Sequence, residues 1–89
     1  MLEIKTYKLK NKLGMHARAA ASFVKVADNF KSDVYVEHNG ETASGKSILG
    51  ILTLACPING KLTVKAEGDD APAAIEALGE LIENKFGEE

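Results

Sequence analysis

The spacing of hydrophobic positions changes several times along the chain, and each change marks a predicted element. Residues 2–10 alternate between apolar and polar as a strand does, with Tyr7 and Leu9 on one face. Leu2 and Ile4 fall on the opposite phase, which predicts a bulge or a late start for this strand. The first element is therefore expected to be a strand with an irregular beginning.

An amphipathic helix is predicted next, because the apolar spacing changes to three and four residues after the loop that contains Gly14. The helix is expected to begin at Ala17 and to end near residues 28–29. Its apolar stripe consists of Ala20, Phe23, Val24, Ala27 and Phe30.

Asn39-Gly40 predicts a hairpin turn, because both central residues of a type I′ turn need positive φ, and Asn59-Gly60 predicts a second turn. A short helix is expected over residues 48–54, with Ser47 as its N-cap. Alternating patterns predict strands on both sides of the first turn and after the second, over residues 34–38, 41–43 and 62–67.

The last helix is predicted to begin after Asp69 or Asp70, with Pro72 in its first turn, where a missing N–H costs nothing. Its buried stripe is expected to consist of Ile75, Leu78, Ile82 and Phe86. Gly87 is expected to end the helix. The order β-α-β-β-α-β-α predicts one α+β domain over residues 1–89, in which helices cover one face of a four-stranded antiparallel sheet.

The charges favour an acidic or phosphorylated partner over a nucleic acid. The formal net charge is −2, from 13 acidic and 11 basic residues, whereas nucleic-acid binders are usually strongly basic. Basic residues lie early in the chain (Lys5, Lys8, Lys10, Lys12 and Arg18) and acidic residues late (Glu76, Glu80, Glu83, Glu88 and Glu89). A basic rim beside His16 is therefore expected to steer such partners towards it.

The single cysteine and the hydropathy pattern indicate the cellular compartment of the protein. Cys56 has no partner for an internal disulfide and has apolar neighbours, so we expect a buried thiol in a reducing compartment. The start of the chain lacks the apolar stretch of a signal peptide, and no run is long enough to cross a membrane. A cytoplasmic protein without membrane insertion is expected.

The segment from Gly14 to Arg18 combines residues suited to holding a phosphoryl group. His16 stands where the loop gives way to the helix, beside free backbone N–H groups and the positive end of the helix dipole. A cation in the first turn is unfavourable by roughly 0.3–1 kcal/mol, so Arg18 indicates a nearby anion. The prediction is phosphorylation on His16.

His16 has two other interpretations. A histidine at a helix start can be a plain cap or an exposed surface residue. A metal site shared with His38 and Cys56 is disfavoured, because the three residues have no ligand spacing.

Residues 40–47 match the nucleotide-binding pattern G-x-x-x-x-G-K-[ST] at every fixed position. In such a site Lys46 would contact the β- and γ-phosphates and Ser47 would bind Mg²⁺. However, Gly40 already belongs to a predicted hairpin turn, and such enzymes need a parallel sheet with crossover helices. A nucleotide site is therefore not expected here.

The chain as a whole resembles the histidine-containing phosphocarrier family, HPr, of the bacterial phosphotransferase system. The resemblance covers essentially the whole chain and is strongest over residues 14–18, 39–40 and 46–54, the last being similar to the family's second signature. It implies an open-faced β-sandwich of four antiparallel strands and three helices. It also implies a carrier rather than an enzyme, and we expect a monomer without cofactor or metal.

The resemblance further implies roles for single residues. Enzyme I, charged from phosphoenolpyruvate, would pass a phosphoryl group to Nδ1 of His16, and His16 would pass it to an enzyme IIA domain. Arg18 and the backbone N–H groups of Ala17 and Arg18 would stabilise that group. Ser47 matches the position at which many members are phosphorylated by a serine kinase, and a phosphate there would add negative charge to the partner-binding face.

An apolar cluster is expected to form the docking face for partners, although some members could instead be core residues: Met15, Ala20, Ile48, Leu49 and Leu52. The family usually has proline directly after the arginine, where this chain has Ala19. The alternative function is therefore a regulatory binding module in carbon or nitrogen control. Such a module would act through phosphorylation of Ser47 and docking rather than through sugar transport.

Overall fold

The predicted order of elements is confirmed in the computed structural model, which describes residues 1–88. The elements are β1 (Leu2–Lys8), α1 (Ala17–Ala27), β2 (Asp33–His38), β3 (Glu41–Ser44), α2 (Ile48–Thr53), β4 (Lys61–Glu67) and α3 (Ala71–Glu83). A short 3₁₀ turn, Lys85–Gly87, follows α3. The strands form one antiparallel sheet in the order β1-β4-β2-β3, so the predicted fold class is correct.

One face of the sheet is buried beneath the helices, and we call it the inner face. Its buried residues are Tyr7, Val34, Val36, Leu62, Val64 and Ala66. They form a single hydrophobic cluster with side chains of all three helices, including Phe23 of α1, Ile51 of α2 and Leu78 of α3. Burial of this cluster drives folding, since each large apolar side chain contributes about 1.5–3 kcal/mol when it leaves water.

The opposite side of the sheet, which we call the outer face, explains the out-of-phase residues near the start of the chain. β1 has no bulge and begins at Leu2, because its pairing with β4 is unbroken from Leu2–Glu67 to Lys8–Lys61. The predicted irregularity is therefore wrong. Leu2 and Ile4 point to the outer face and remain 50% and 58% exposed.

Two aromatic residues lie outside the helices to which their spacing assigned them. α1 ends at Ala27, so Phe30 packs against the core from the following loop. α3 ends at Glu83, and Phe86 packs from the 3₁₀ turn, where its φ is 56°. In both cases the chain reverses direction while the aromatic ring still reaches the core.

Asn39-Gly40 and Ser47 form the predicted turn and cap. Asn39 and Gly40 have φ values of 51° and 83°, as a type I′ hairpin between β2 and β3 requires. Asn59-Gly60 also lies in a turn, closed by a hydrogen bond from the Gly60 N–H to the Pro57 carbonyl (2.9 Å), but only Asn59 of this pair has a positive φ (68°). Ser47 caps α2, since its Oγ accepts a hydrogen bond from the Gly50 N–H (3.0 Å). The cap fixes the start of a helix that has only six residues.

Asp70 precedes α3, but its carboxylate binds the loop before β2 instead of the helix. It accepts hydrogen bonds from the backbone N–H groups of Lys31 (2.8 Å) and Ser32 (3.0 Å), and from the Ser32 hydroxyl. The bond from the Ser32 hydroxyl, followed by that from Lys31, lowers the pKa of the Asp70 carboxyl below its ordinary value of 3.8. Asp70 thus joins the start of α3 to the start of β2.

We expect Asp70→Ala to lower the unfolding temperature at neutral pH, because three donors lose their acceptor. Since the folded-state pKa lies below the ordinary value of 3.8, the carboxylate stabilises the fold above that pH. The advantage of the intact chain should therefore shrink as pH falls through the folded-state pKa. Thermal unfolding monitored by circular dichroism over a pH series measures this, with Asp69→Ala as the matched control. An equal effect of both substitutions would contradict the assignment.

Candidate functional site

The loop between β1 and α1 is fixed to the loop between α2 and β4. Three backbone hydrogen bonds join them: from Leu9 N–H to the Gly60 carbonyl (3.0 Å), from Asn59 N–H to the Leu9 carbonyl (2.8 Å), and from Met15 N–H to the Cys56 carbonyl (2.9 Å). Both ends of the first loop are therefore held in place before α1 begins.

Gly14 allows the two loops to come this close. Its φ is +61°, and a Cβ at this position would lie 2.7 Å from the carbonyl oxygen of Cys56. The side chain of Asn11, which is fully buried, closes the loop from within by donating to the Gly14 carbonyl (2.7 Å). A glycine is thus required directly before the segment that carries His16.

His16 occupies the N-cap position of α1, with φ −82° and ψ 177°, and its side chain makes no capping hydrogen bond. The first bond of the helix runs from Ala20 N–H to the His16 carbonyl (2.9 Å). The N–H groups of residues 17–19 consequently have no acceptor four residues earlier in the helix. No acidic residue stands in the first turn, so the positive end of the helix dipole is not offset from within α1.

Glu88 reaches the imidazole of His16 from the far end of the chain. Its Oε2 contacts Nε2 of His16, and its Oε1 accepts a hydrogen bond from Nδ2 of Asn11 (2.9 Å). The side chains of His16 and Glu88 are 21% and 19% exposed, so the pair is largely shielded from water. Within residues 1–88, Nδ1 of His16 makes no hydrogen bond.

The surroundings of Glu88 favour its ionised form. The hydrogen bond from Asn11 lowers the pKa of the Glu88 carboxyl, and the hydrogen bond with His16 and the charge of Arg18 add to that effect. Partial burial acts in the opposite direction but does not outweigh them. The contact with His16 is therefore made by a carboxylate at neutral pH.

A left-handed turn brings Glu88 to this position. Lys85, Phe86 and Gly87 have φ values of 57°, 56° and 78°, and the Glu88 N–H donates to the Lys85 carbonyl (2.9 Å). This conformation costs about 1–2 kcal/mol for each residue other than glycine. The packing of Phe86 and the contacts of Glu88 must offset that cost.

Two residues of the expected basic rim, Arg18 and Lys10, lie beside acidic side chains from the end of the described chain. Arg18 is 78% exposed, and a guanidinium nitrogen lies 3.9 Å from Oε2 of Glu88. Lys10 likewise pairs with Glu83, with 2.6 Å between Nζ and Oε2. The acidic end of the chain thus folds onto the basic beginning, and an anion from the chain itself stands beside Arg18.

The predicted docking cluster divides into two groups. Ile48 and Leu49 of α2 are 41% and 77% exposed, and Leu52 is partly buried against the core. Met15 and Ala20 are only 4% and 0% exposed, so they cannot belong to an exposed apolar patch. They are core residues because the two loops and α1 close over them.

The residues of the nucleotide-binding pattern do not form a phosphate cradle. Gly40 lies in the hairpin turn, as the sequence predicted, and residues 41–44 form β3, one residue longer than the predicted strand over 41–43. Nζ of Lys46 donates to the carbonyl of Phe30 (2.8 Å), and the amine therefore serves a structural contact. The pattern matches by sequence but not by backbone geometry.

Cys56 is buried, as predicted, and burial raises the pKa of its thiol. Among residues 1–88, no three His, Cys, Asp or Glu side chains come close enough together to hold a metal ion. His38 contacts the Lys61 carbonyl through Nδ1 (2.9 Å) at an exposed strand end. No helix in this part of the chain combines the length and apolarity needed to cross a membrane.

A family model described as the PTS HPr component phosphorylation site matches residues 4–84. The chain belongs to the HPr family. Phosphocarrier protein HPr of Cupriavidus necator is 45% identical over 78 residues, which are 88% of each chain. The family is that of the phosphocarrier proteins of the phosphotransferase system.

Solved HPr structures share the fold. A crystal structure of HPr-C-His from Thermoanaerobacter tengcongensis superposes with a TM-score of 0.94 at 46% identity, covering 98% of both chains. The solution structure of Crh, the Bacillus subtilis catabolite repression HPr, gives a TM-score of 0.66 at 35% identity and covers 90% of this chain and 95% of that one. The chain is thus similar both to an HPr and to a member connected with catabolite repression.

Two residues around His16 were missed at the level of sequence. Asn11 lies in the loop that contains Gly14, where no sequence pattern gives it a role, and Glu88 is one of several acidic residues late in the chain. The available signal for Glu88 was the opposite charge of the two chain ends, which favours their pairing. Nothing local distinguishes Glu88 from its acidic neighbours, because its role depends on the turn at Lys85–Gly87.

Proposed function

We propose that this HPr-family chain accepts a phosphoryl group on Nδ1 of His16 from enzyme I and passes it to an enzyme IIA domain in the cytoplasm. The observation that carries the proposal is the state of the His16 ring at the start of α1. Nε2 is engaged by Glu88, whereas Nδ1 has no hydrogen bond within residues 1–88. One nitrogen is thus held by the protein and the other is available as a nucleophile.

The surroundings of His16 suit a phosphoryl group bound to that nitrogen. The N–H groups of Ala17 and Arg18 lie at the start of α1, where backbone donors and the helix dipole favour an anion. The exposed guanidinium of Arg18 can form charge-assisted hydrogen bonds to phosphate oxygens. The chain would supply the acceptor and its electrostatic support, while its partners would supply the donor and the next acceptor.

A regulatory module is the second candidate, and the similarity to Crh favours it. Ser47, with its hydroxyl at the start of α2, stands directly before the exposed Ile48 and Leu49. A phosphate on Ser47 would place negative charge beside these apolar side chains. This module would bind partners through α2 without relaying phosphate from His16.

We expect the protein to become labelled when it is incubated with enzyme I and ³²P-phosphoenolpyruvate, and the label to be acid-labile because it sits on a ring nitrogen. His16→Ala should abolish the label. His38→Ala is the matched control and should keep it, because His38 lies at an exposed strand end. Label that persists in His16→Ala would rule out His16 as the acceptor.

The same assay separates the two candidate functions. A carrier should lose its label when an enzyme IIA domain is added, with the phosphate appearing on that domain. A protein that never becomes labelled, but still binds partners, would support the regulatory module.

We expect Leu49→Gln to weaken binding to enzyme I by about ten- to a hundredfold, since burying a leucine at an interface contributes roughly 1.5–3 kcal/mol. Leu49 is 77% exposed, so the fold should keep its stability. Ile4→Gln is the control, because Ile4 is exposed on the outer face of the sheet. Isothermal titration with unphosphorylated enzyme I measures the affinity of each variant. If Leu49→Gln and Ile4→Gln bind equally well, α2 is not part of the docking face.

The effect of charge at Ser47 can be separated from its cap. Aspartate and asparagine cap helices about as well as serine, but only aspartate adds a charge. We expect Ser47→Asp to weaken enzyme I binding and Ser47→Asn to leave it unchanged, as measured in the same titration. Equal losses in both variants would mean that the hydroxyl or the helix start matters, and not the charge.

A further inference from the structure

The carboxylate of Glu88 is the meeting point of three groups from distant parts of the chain. It contacts Nε2 of His16, accepts from Nδ2 of Asn11 (2.9 Å) and lies 3.9 Å from the guanidinium of Arg18. Asn11 is itself held by the Gly14 carbonyl (2.7 Å). The chain end is thus tied to the same loop that positions His16.

The segment after α3, residues 84–88, holds the Glu88 carboxylate in this position. The left-handed turn at Lys85–Gly87 is closed by hydrogen bonds from Gly87 N–H to the Asn84 carbonyl (3.0 Å) and from Glu88 N–H to the Lys85 carbonyl (2.9 Å). Phe86 packs against the core within this turn. The position of Glu88 is therefore specified by several contacts besides its own.

We infer that Glu88 is a positioning residue for phosphoryl transfer, whose carboxylate holds the Nε2–H of His16 so that Nδ1 presents its lone pair. The inference rests on the proposed function of His16. A carboxylate that accepts from one imidazole nitrogen fixes the tautomer and ring orientation, and it stabilises positive charge on the ring. Such charge arises when Nδ1 takes up phosphorus.

The transfer step balances with this arrangement. The bond between phosphorus and the donor atom breaks, and its electron pair stays with the donor atom. The lone pair of Nδ1 forms the new P–N bond, and the ring keeps its proton on Nε2. The phosphorylated ring is then cationic, and the Glu88 carboxylate offsets that charge from the Nε2 side.

The carboxylate does not occupy the place of the phosphoryl group. It binds the ring at Nε2, whereas the phosphoryl group would be attached at Nδ1 on the other side of the ring. Arg18 stands beside the carboxylate, which reduces the repulsion between Glu88 and an incoming dianion. The N–H groups at the start of α1 remain available for the phosphate oxygens.

Glu88→Gln tests the inference because it preserves the shape of the side chain and removes its charge. A glutamine has one acceptor oxygen, so it cannot serve both Asn11 and Nε2 as the two carboxylate oxygens do. We expect the rate of phosphoryl transfer from phosphorylated enzyme I in rapid-quench experiments to fall about tenfold. The affinity for unphosphorylated enzyme I should not change, because the docking residues of α2 are untouched.

A second readout uses the unphosphorylated protein. The proton on Nε2 of His16 should be visible in ¹H–¹⁵N NMR as a downfield, slowly exchanging signal in the intact chain. This signal should be lost in Glu88→Gln. Glu76→Gln removes the same charge from an exposed position on α3, and it should change neither the rate nor the signal.

The outcomes separate this inference from the proposed function. An intact chain that enzyme I fails to label would overturn the carrier function itself. An intact chain that is labelled, with Glu88→Gln reacting as fast or faster, would overturn the role of Glu88 alone. A Nε2 proton signal that persists unchanged in Glu88→Gln would also overturn it.

Discussion

The position of His16 depends on the contact between two loops, one leading from β1 into α1 and the other from α2 into β4. Three backbone hydrogen bonds and the close approach at Gly14 lock these loops together. The start of α1 can therefore be rigid although it lies at the surface. A nucleophile that must meet different partners benefits from such a support, because its geometry is set before either partner arrives.

Signals that act within a few residues were enough to predict most of the fold. Asn39-Gly40 predicts its hairpin because of the φ values that the turn needs, and Ser47 predicts the start of α2 because of its capping hydroxyl. His16 could likewise be placed at the start of a helix from the change in apolar spacing. In each case the physical cause lies in the residue and its immediate neighbours.

Features that depend on distant contacts could not be predicted in this way. Met15 and Ala20 have apolar side chains, but only the packed loops and α1 decide that they are buried. Leu2 and Ile4 are out of phase with the buried residues because they lie on the outer face of the sheet, where they are exposed. Glu88 reaches His16 because the chain turns back at residues 85–87, and no local sequence pattern predicts that turn.

The uncovered outer face also affects how copies of the chain meet in concentrated solution. β1 and β3 are the two edges of the sheet, and an unprotected edge beside an apolar face is a template for lateral pairing between molecules. β1 carries Glu3, Lys5 and Lys8, and β3 begins with a glutamate. These charges oppose the addition of further strands, so Leu2 and Ile4 can stay in contact with water without seeding aggregation.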